Sequence, residues 1–149
     1  MVQTTTLVDE LADVVVALGS LGHPRQQLSR TAAATLARIQ RHGPARLTEL
    51  ATAEGVSQPS MSALAARLVE QGLLRRGGDP QDARVVVLDL TPAGEELLAQ
   101  RRADRVARLN RALADLPPAD AARIADALPA LTRLADALRR SPDSPEVNR

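Results

Sequence analysis

The chain of 149 residues has no cysteine and no aromatic residue, and its only histidines are His23 and His42. Without cysteine there is no disulfide, no thiolate metal centre and no thiol redox switch. Without Phe, Tyr or Trp the core must be filled by Leu, Ile, Val and Ala, which favours helices packed closely through small side chains. Two separated histidines are too few for a metal cluster. His23, beside Pro24, reads as a loop residue, and His42 as a helix end where positive charge suits the dipole. No metal or cofactor is expected. An enzyme would need a nucleophile, a base and a group to orient them, or else a metal, and no such constellation is present. Lysine is absent too: the 19 basic residues are all Arg, and against 18 acids they leave a net charge of +1. That excludes a protein that coats nucleic acid through bulk charge, so any DNA contact has to be local. No stretch approaches the roughly 20 apolar residues of a membrane helix, and the N-terminus has no leader pattern. The expectation is a cytoplasmic protein with no membrane partner, folded as one unit.

What is present is periodic leucine. Leu7, Leu11, Val14, Leu18 and Leu21 alternate steps of four and three, placing them on one helical stripe close to a coiled-coil seam, which Gly22 and Pro24 then stop. Ser29 is positioned to cap a second helix through Arg41, with Leu36 and Ile39 inward, Ala32 to Ala34 permitting close approach, and Gly43-Pro44 as the break. Toward the other end, Thr91-Pro92 reads as a cap and first helical residue of a long helix with Val106, Leu109, Leu113 and Leu116 inward, ended by Pro117-Pro118. A last helix carries Ile124, Leu128, Leu131, Ala135 and Leu138 at the same alternating spacing, with a kink expected at Pro129. From Ser141 onward the prolines and polar residues predict a disordered tail.

Between these helices lies a shorter pattern. Thr48 is placed to cap a brief helix through Ala53, Glu54-Gly55-Val56 to make a tight turn, and Ser57 to open a further helix ending at Gly72. Ala51 would let the two helices meet, Gly55 would take the left-handed turn conformation, and Val56, Met61, Leu64 and Leu68 would face the core. Leu73 to Arg76 and Arg84 to Leu90 read as strands, the second burying Val86, Leu88 and Leu90 or their neighbours, with Gly77-Gly78-Asp79-Pro80 as the turn. The fold class expected is mainly α with a small β-wing, a helix-turn-helix followed by a hairpin.

A helix that starts with Ser57, Gln58, Pro59, Ser60 and Ser62 offers short polar side chains beside free N–H groups at a positive dipole end, where a phosphate is attracted. Gln58 suits adenine, the serines suit several base edges and the Pro59 ring a thymine methyl. Arg67, two turns on, is placed for a phosphate, as are Arg75 and Arg76 on the first strand. Asp82 and Arg84 lie on one side of an extended segment, so the carboxylate can hold the guanidinium in one orientation for a minor groove. Each residue also has a plainer reading. The serines and Pro59 suit an ordinary helix start, Arg84 a surface pair with Asp82, Arg67 a helix pair with Glu70, and the leucine stripes an intramolecular core. From Arg41 to Leu90 six arginines face six acids, so DNA binding requires the acids to point away from the duplex and should be sharply salt-dependent.

The stretch LTELATAEGVSQPSMSALAARLVEQGLLRR, followed by DPQDARVVVLDLTPAG, is very similar to the signature of MarR-family transcriptional regulators, over roughly residues 28 to 98. The resemblance implies one domain over 1–140. Within it 28–98 would be the winged helix-turn-helix core, 5–22 and 99–140 a helical dimerisation region, and 141–149 the tail. It implies a homodimer joined by the first and last helices, through Leu7, Leu11, Val14, Leu18, Leu128, Leu131 and Leu138, bound to double-stranded DNA. The helix from Ser57 would enter the major groove and Arg84 the minor groove. It also implies a repressor of nearby genes, acting on an inverted-repeat operator and released by a small molecule, often aromatic or anionic. No residue is assigned to that effector, and without aromatic partners aliphatic side chains and Arg would have to hold it. Two readings compete: a dimeric winged-helix protein-interaction module without DNA binding, and an architectural DNA binder without sequence preference.

Overall fold

The structure, a computed structural model, describes residues 2–19, 28–78 and 85–140. In chain order the elements are α1 (Val2–Gly19), α2 (Arg30–His42), β1 (Ala45–Arg46), α3 (Leu47–Ala53), α4 (Gln58–Glu70), β2 (Leu74–Gly78), β3 (Val86–Leu90), α5 (Pro92–Ala114) and α6 (Pro118–Arg140). Leu21, Gly22, His23, Pro24, the turn residues Asp79 and Pro80, Asp82, Arg84 and the expected tail lie outside the described residues. Two compact units are distinguished, residues 1–106 and 107–149.

The first unit is built on locally capped helices. Ser29 has extended backbone and its hydroxyl accepts the Ala32 N–H at 3.1 Å, opening α2. Gly43, at φ 84°, closes α2 by donating to the Ile39 carbonyl. The helix buries Leu36 and Ile39, as its spacing predicts, together with Ala32 and Thr35. The Thr35 hydroxyl is fully buried and has no hydrogen-bond partner among the described residues.

One cap differs from expectation. Helix α3 begins at Leu47, one residue before Thr48. The Glu49 carboxylate reaches back to accept the Arg46 N–H at 3.1 Å, and Thr48 sits inside the first turn, where its carbonyl accepts the Thr52 hydroxyl. The acid three residues into the helix thus supplies the N-terminal acceptor that a hydroxyl at Thr48 was expected to supply.

The sequence also gives no warning of β1. Its two residues pair antiparallel with β3, Ala45 opposite Leu88 and Arg46 opposite Val87, so the sheet has three strands in the order β1-β3-β2. The central strand β3 does not alternate cleanly. Val87, Leu88 and Leu90 are all buried, whereas Val86, at the end of the strand away from the core, is exposed. Gly77 and Gly78, expected in the turn, extend β2 and pair with Val87 and Val86.

The sheet and α2, α3 and α4 enclose one core of Ala32, Leu36, Ile39, Leu50, Ala51, Met61, Leu64, Ala65, Leu68, Leu74, Leu88 and Leu90. Val56 lies half-buried against it. Helix α5 starts as its sequence predicts, with the Thr91 hydroxyl accepting the Gly94 N–H at 3.1 Å and donating to the Gly72 carbonyl. Its first turn lies so close to Leu73 that a Cβ on Gly94 would stand 2.3 Å from the Leu73 carbonyl oxygen.

The long helices also depart from expectation. Val106, Leu113 and Leu116 are exposed rather than inward, and Leu109 is half-buried. In α6 Ile124, Leu128, Leu131, Leu134 and Leu138 are exposed, and in α1 Leu7, Val14 and Leu18 are exposed while Leu11 is half-buried. A periodic stripe specifies which residues share a face and leaves open what covers it. Helix α6 is continuous through Pro129. No helix among the described residues is long and apolar enough to cross a membrane.

Candidate nucleic-acid interface

Helices α3 and α4 are joined by a turn whose geometry follows from one glycine. Gly55 adopts φ 62° and donates to the Thr52 carbonyl, and Val56 donates to the Ala51 carbonyl at 3.0 Å. This double bond pattern ends α3 and redirects the chain within two residues. The same pattern ends α4, where Gly72, at φ 70°, donates to Val69 and Leu73 donates to Leu68. Both turns place a glycine where a side chain would strain the backbone.

Ser57 caps α4. Its hydroxyl accepts the Ser60 N–H at 3.3 Å and lies 2.8 Å from the Ser60 hydroxyl, with Pro59 in the first turn. The Ser57 hydroxyl thus serves the cap, and it and the Ser60 hydroxyl are engaged with each other. Gln58, Pro59 and Ser62 are exposed beside them. Met61, Leu64, Ala65 and Leu68 turn into the core, so the opposite face of α4 is set by Pro59, Ser62, Ala63 and Ala66, spaced i, i+3, i+4 and i+7 and all exposed. Ala63 and Ala66 were not singled out from sequence. Their signal was available, since small residues at helical spacing opposite the core let a helix axis come close to another surface.

Arg67 is exposed on α4, and the pair with Glu70 that helix spacing allows is not formed. Together with Leu28, Ser29, Ala32, Leu64, Leu68 and Gln71 it lines a shallow cleft between the start of α2 and α4. Behind the turn, burial pushes the Glu54 carboxyl above its ordinary range, against the opposing pull of Arg38 and Arg41.

On the hairpin, Arg75 and Asp89 stand opposite one another in register. The Arg75 Nε donates to Asp89 Oδ2 at 3.1 Å, Nη2 makes a closer contact to the same oxygen, and Asp89 Oδ1 accepts the Leu90 N–H at 2.9 Å. Arg75, expected to contact phosphate, is thus tied to a cross-strand acid that the sequence reading did not connect to it. Arg76, one residue on, is exposed.

Two helices joined by a tight glycine turn, then an antiparallel hairpin whose sheet is completed by a strand preceding the pair, define a winged helix-turn-helix protein. Residues 28–86 match the sequence profile of the MarR family. Among curated relatives, the HTH-type transcriptional repressor NicR of Pseudomonas putida is 35% identical over 72 residues, 48% of this chain and 46% of that protein. The uncharacterized HTH-type transcriptional regulator Mb0904 of Mycobacterium bovis is 32% identical over 101 residues, 63% of this chain and 71% of that one. A solved regulator from Pseudomonas aeruginosa PA01 is 31% identical and superposes with a TM-score of 0.76, covering 89% of this chain and 96% of the other. The chain belongs to the MarR family. It spans about half the length of the first curated relatives it matches.

Proposed function

We propose that the chain is a sequence-specific, DNA-binding transcriptional repressor that acts in the cytoplasm as a homodimer on an inverted-repeat operator. The observation that carries this reading is the exposed face of α4. Gln58, Pro59, Ser62, Ala63 and Ala66 present two polar side chains on a face otherwise free of bulk, beside a hairpin that bears Arg75 and Arg76. A helix of this kind fits the major groove, and its first-turn polar groups reach base edges. Asp82 and Arg84, between the two strands, supply the minor-groove contact in this reading.

Dimerisation is supported by the bare apolar stripes of α1 and α6. Leu7 is 62% exposed, Leu18 53%, Leu128 54% and Leu138 68%, and a stripe of that size is ordinarily covered. A two-fold dimer places half-sites about one helical turn, roughly 10 bp, apart. Repression is supported by the relative named as a repressor. Relief by a small molecule is the finest part of the reading. No residue is assigned to it: the α2–α4 cleft, about 70 Å³ among the described residues, is too small to enclose a drug-sized molecule.

Fluorescence anisotropy with labelled duplexes from the chain's own upstream region and a scrambled control, at two salt concentrations, tests the proposal. The wild type is expected to bind the upstream duplex selectively, to weaken with salt and to lose binding in Arg84→Ala. No binding to any duplex at low salt would refute it in favour of a protein-interaction module.

A further inference from the structure

The functional reading counts Arg75 among the hairpin cations, but Arg75 is one half of a charge pair. Arg75 and Asp89 are joined across β2 and β3 through two guanidinium nitrogens, with side chains 67% and 26% exposed. We propose that Asp89 limits the affinity of this chain for DNA of arbitrary sequence by cancelling the charge of Arg75. The inference rests on the DNA-binding reading above.

Two physical facts lead there. Sequence-independent attraction to DNA is set by the cations a protein brings near the phosphates. In the helix-turn-helix and hairpin region arginines and acids are equal in number, so one cancelled cation is a large part of the local field. Arg75 stands three strand residues from Gly78, the last described residue before the hairpin tip. Arg75 is exposed on β2, so its net charge is felt by a duplex whose phosphates come within about one screening length of that strand, roughly 10 Å at 0.1 M salt. Asp89 thereby acts without touching DNA. The benefit is discrimination, because a regulator that binds every sequence tightly is titrated by the non-specific sites of a genome.

Asp89→Asn tests this with little disturbance, since the amide oxygen still accepts the Leu90 N–H. Anisotropy titration of a scrambled duplex at 50 and 200 mM salt is the readout, with circular dichroism melts to confirm folding of each variant. Asp89→Asn is expected to bind the scrambled duplex more tightly than wild type at 50 mM. It should also lose about threefold more affinity between the two salts, the increment for one additional neutralised phosphate. The double variant Arg75→Ala, Asp89→Asn restores the local charge and is expected to return to wild-type binding, whereas Arg75→Ala alone weakens it. Unchanged or weaker binding by Asp89→Asn would overturn the proposal, weaker binding pointing to a carboxylate that aims Arg75 at a phosphate. A wild type that binds no duplex fails at the functional reading itself, and is told apart by that.

Discussion

Replacing Gly94 by alanine is the substitution that most directly tests how α5 is joined to the winged domain. The new Cβ would lie 2.3 Å from the Leu73 carbonyl oxygen, 2.8 Å from a Leu90 methyl carbon and 3.2 Å from the Leu73 carbonyl carbon. Methyl groups do not approach an oxygen below about 3 Å, so a separation of roughly 0.7 Å has to be opened. The Leu90 methyl can rotate aside. Leu73 cannot yield easily, because its N–H closes the end of α4 on Leu68 and its carbonyl accepts the Thr91 N–H at 3.2 Å. Overpacking of this kind costs about 1–3 kcal/mol, and a disrupted backbone hydrogen bond adds about 1 kcal/mol. The better helix propensity of alanine returns up to about 1 kcal/mol. The net expectation is a loss of about 2–3 kcal/mol. For a chain of this size that lowers Tm by roughly 6–10 °C, read by circular dichroism at 222 nm and fixed protein concentration. Gly78→Ala is the control: a Cβ there meets nothing within 4 Å, and Tm should move by less than about 2 °C. A Gly94→Ala protein that melts within about 2 °C of wild type would refute the close docking.

Two further substitutions probe the same unit. Thr35→Val removes a buried hydroxyl that has no partner while keeping its shape, and should raise stability by about 1 kcal/mol in chemical denaturation, whereas a loss would reveal a bond to that hydroxyl. Glu54 titrates above its unfolded value, so the folded state holds its proton to higher pH, and the stability this confers is lost as pH rises from the ordinary carboxylate value through the folded one. Glu54→Gln should therefore gain stability relative to wild type as pH is raised from 4 to 7. A relative loss over that range, measured by urea midpoints, would show that Arg38 and Arg41 outweigh burial.

Much of the fold was legible because its signals are local. Ser29, Ser57 and Thr91 cap helices through their own hydroxyls, and Gly55 supplies a left-handed residue where the turn requires one. These outcomes depend on chemistry within three or four residues. What escaped depends on partners distant in sequence. Ala45 and Arg46 become a strand only because Leu88 and Val87 lie opposite, and Arg75 meets Asp89 only in the observed register. The cap at Arg46 was missed by two residues because a hydroxyl and a carboxylate compete for the same task. For the candidate interface, the polar start of α4 was readable, but the engagement of the Ser57 and Ser60 hydroxyls with each other was not. Val106, Leu113 and Leu116 show the limit of periodicity, which sorts residues to a face without naming what lies against it.

The two-residue strand β1 has a mechanical consequence. Arg46 is both the partner of Val87 in the sheet and the residue from which α3 starts. The hairpin is therefore fastened to the helix pair partway along β3, at Val87 and Leu88, instead of swinging from the end of α4 alone. On the DNA-binding reading, helix and hairpin form a caliper of fixed opening. A duplex gripped by both must bring its two grooves to that span, and sequences that bend or narrow cheaply would be selected by their stiffness as well as by their bases.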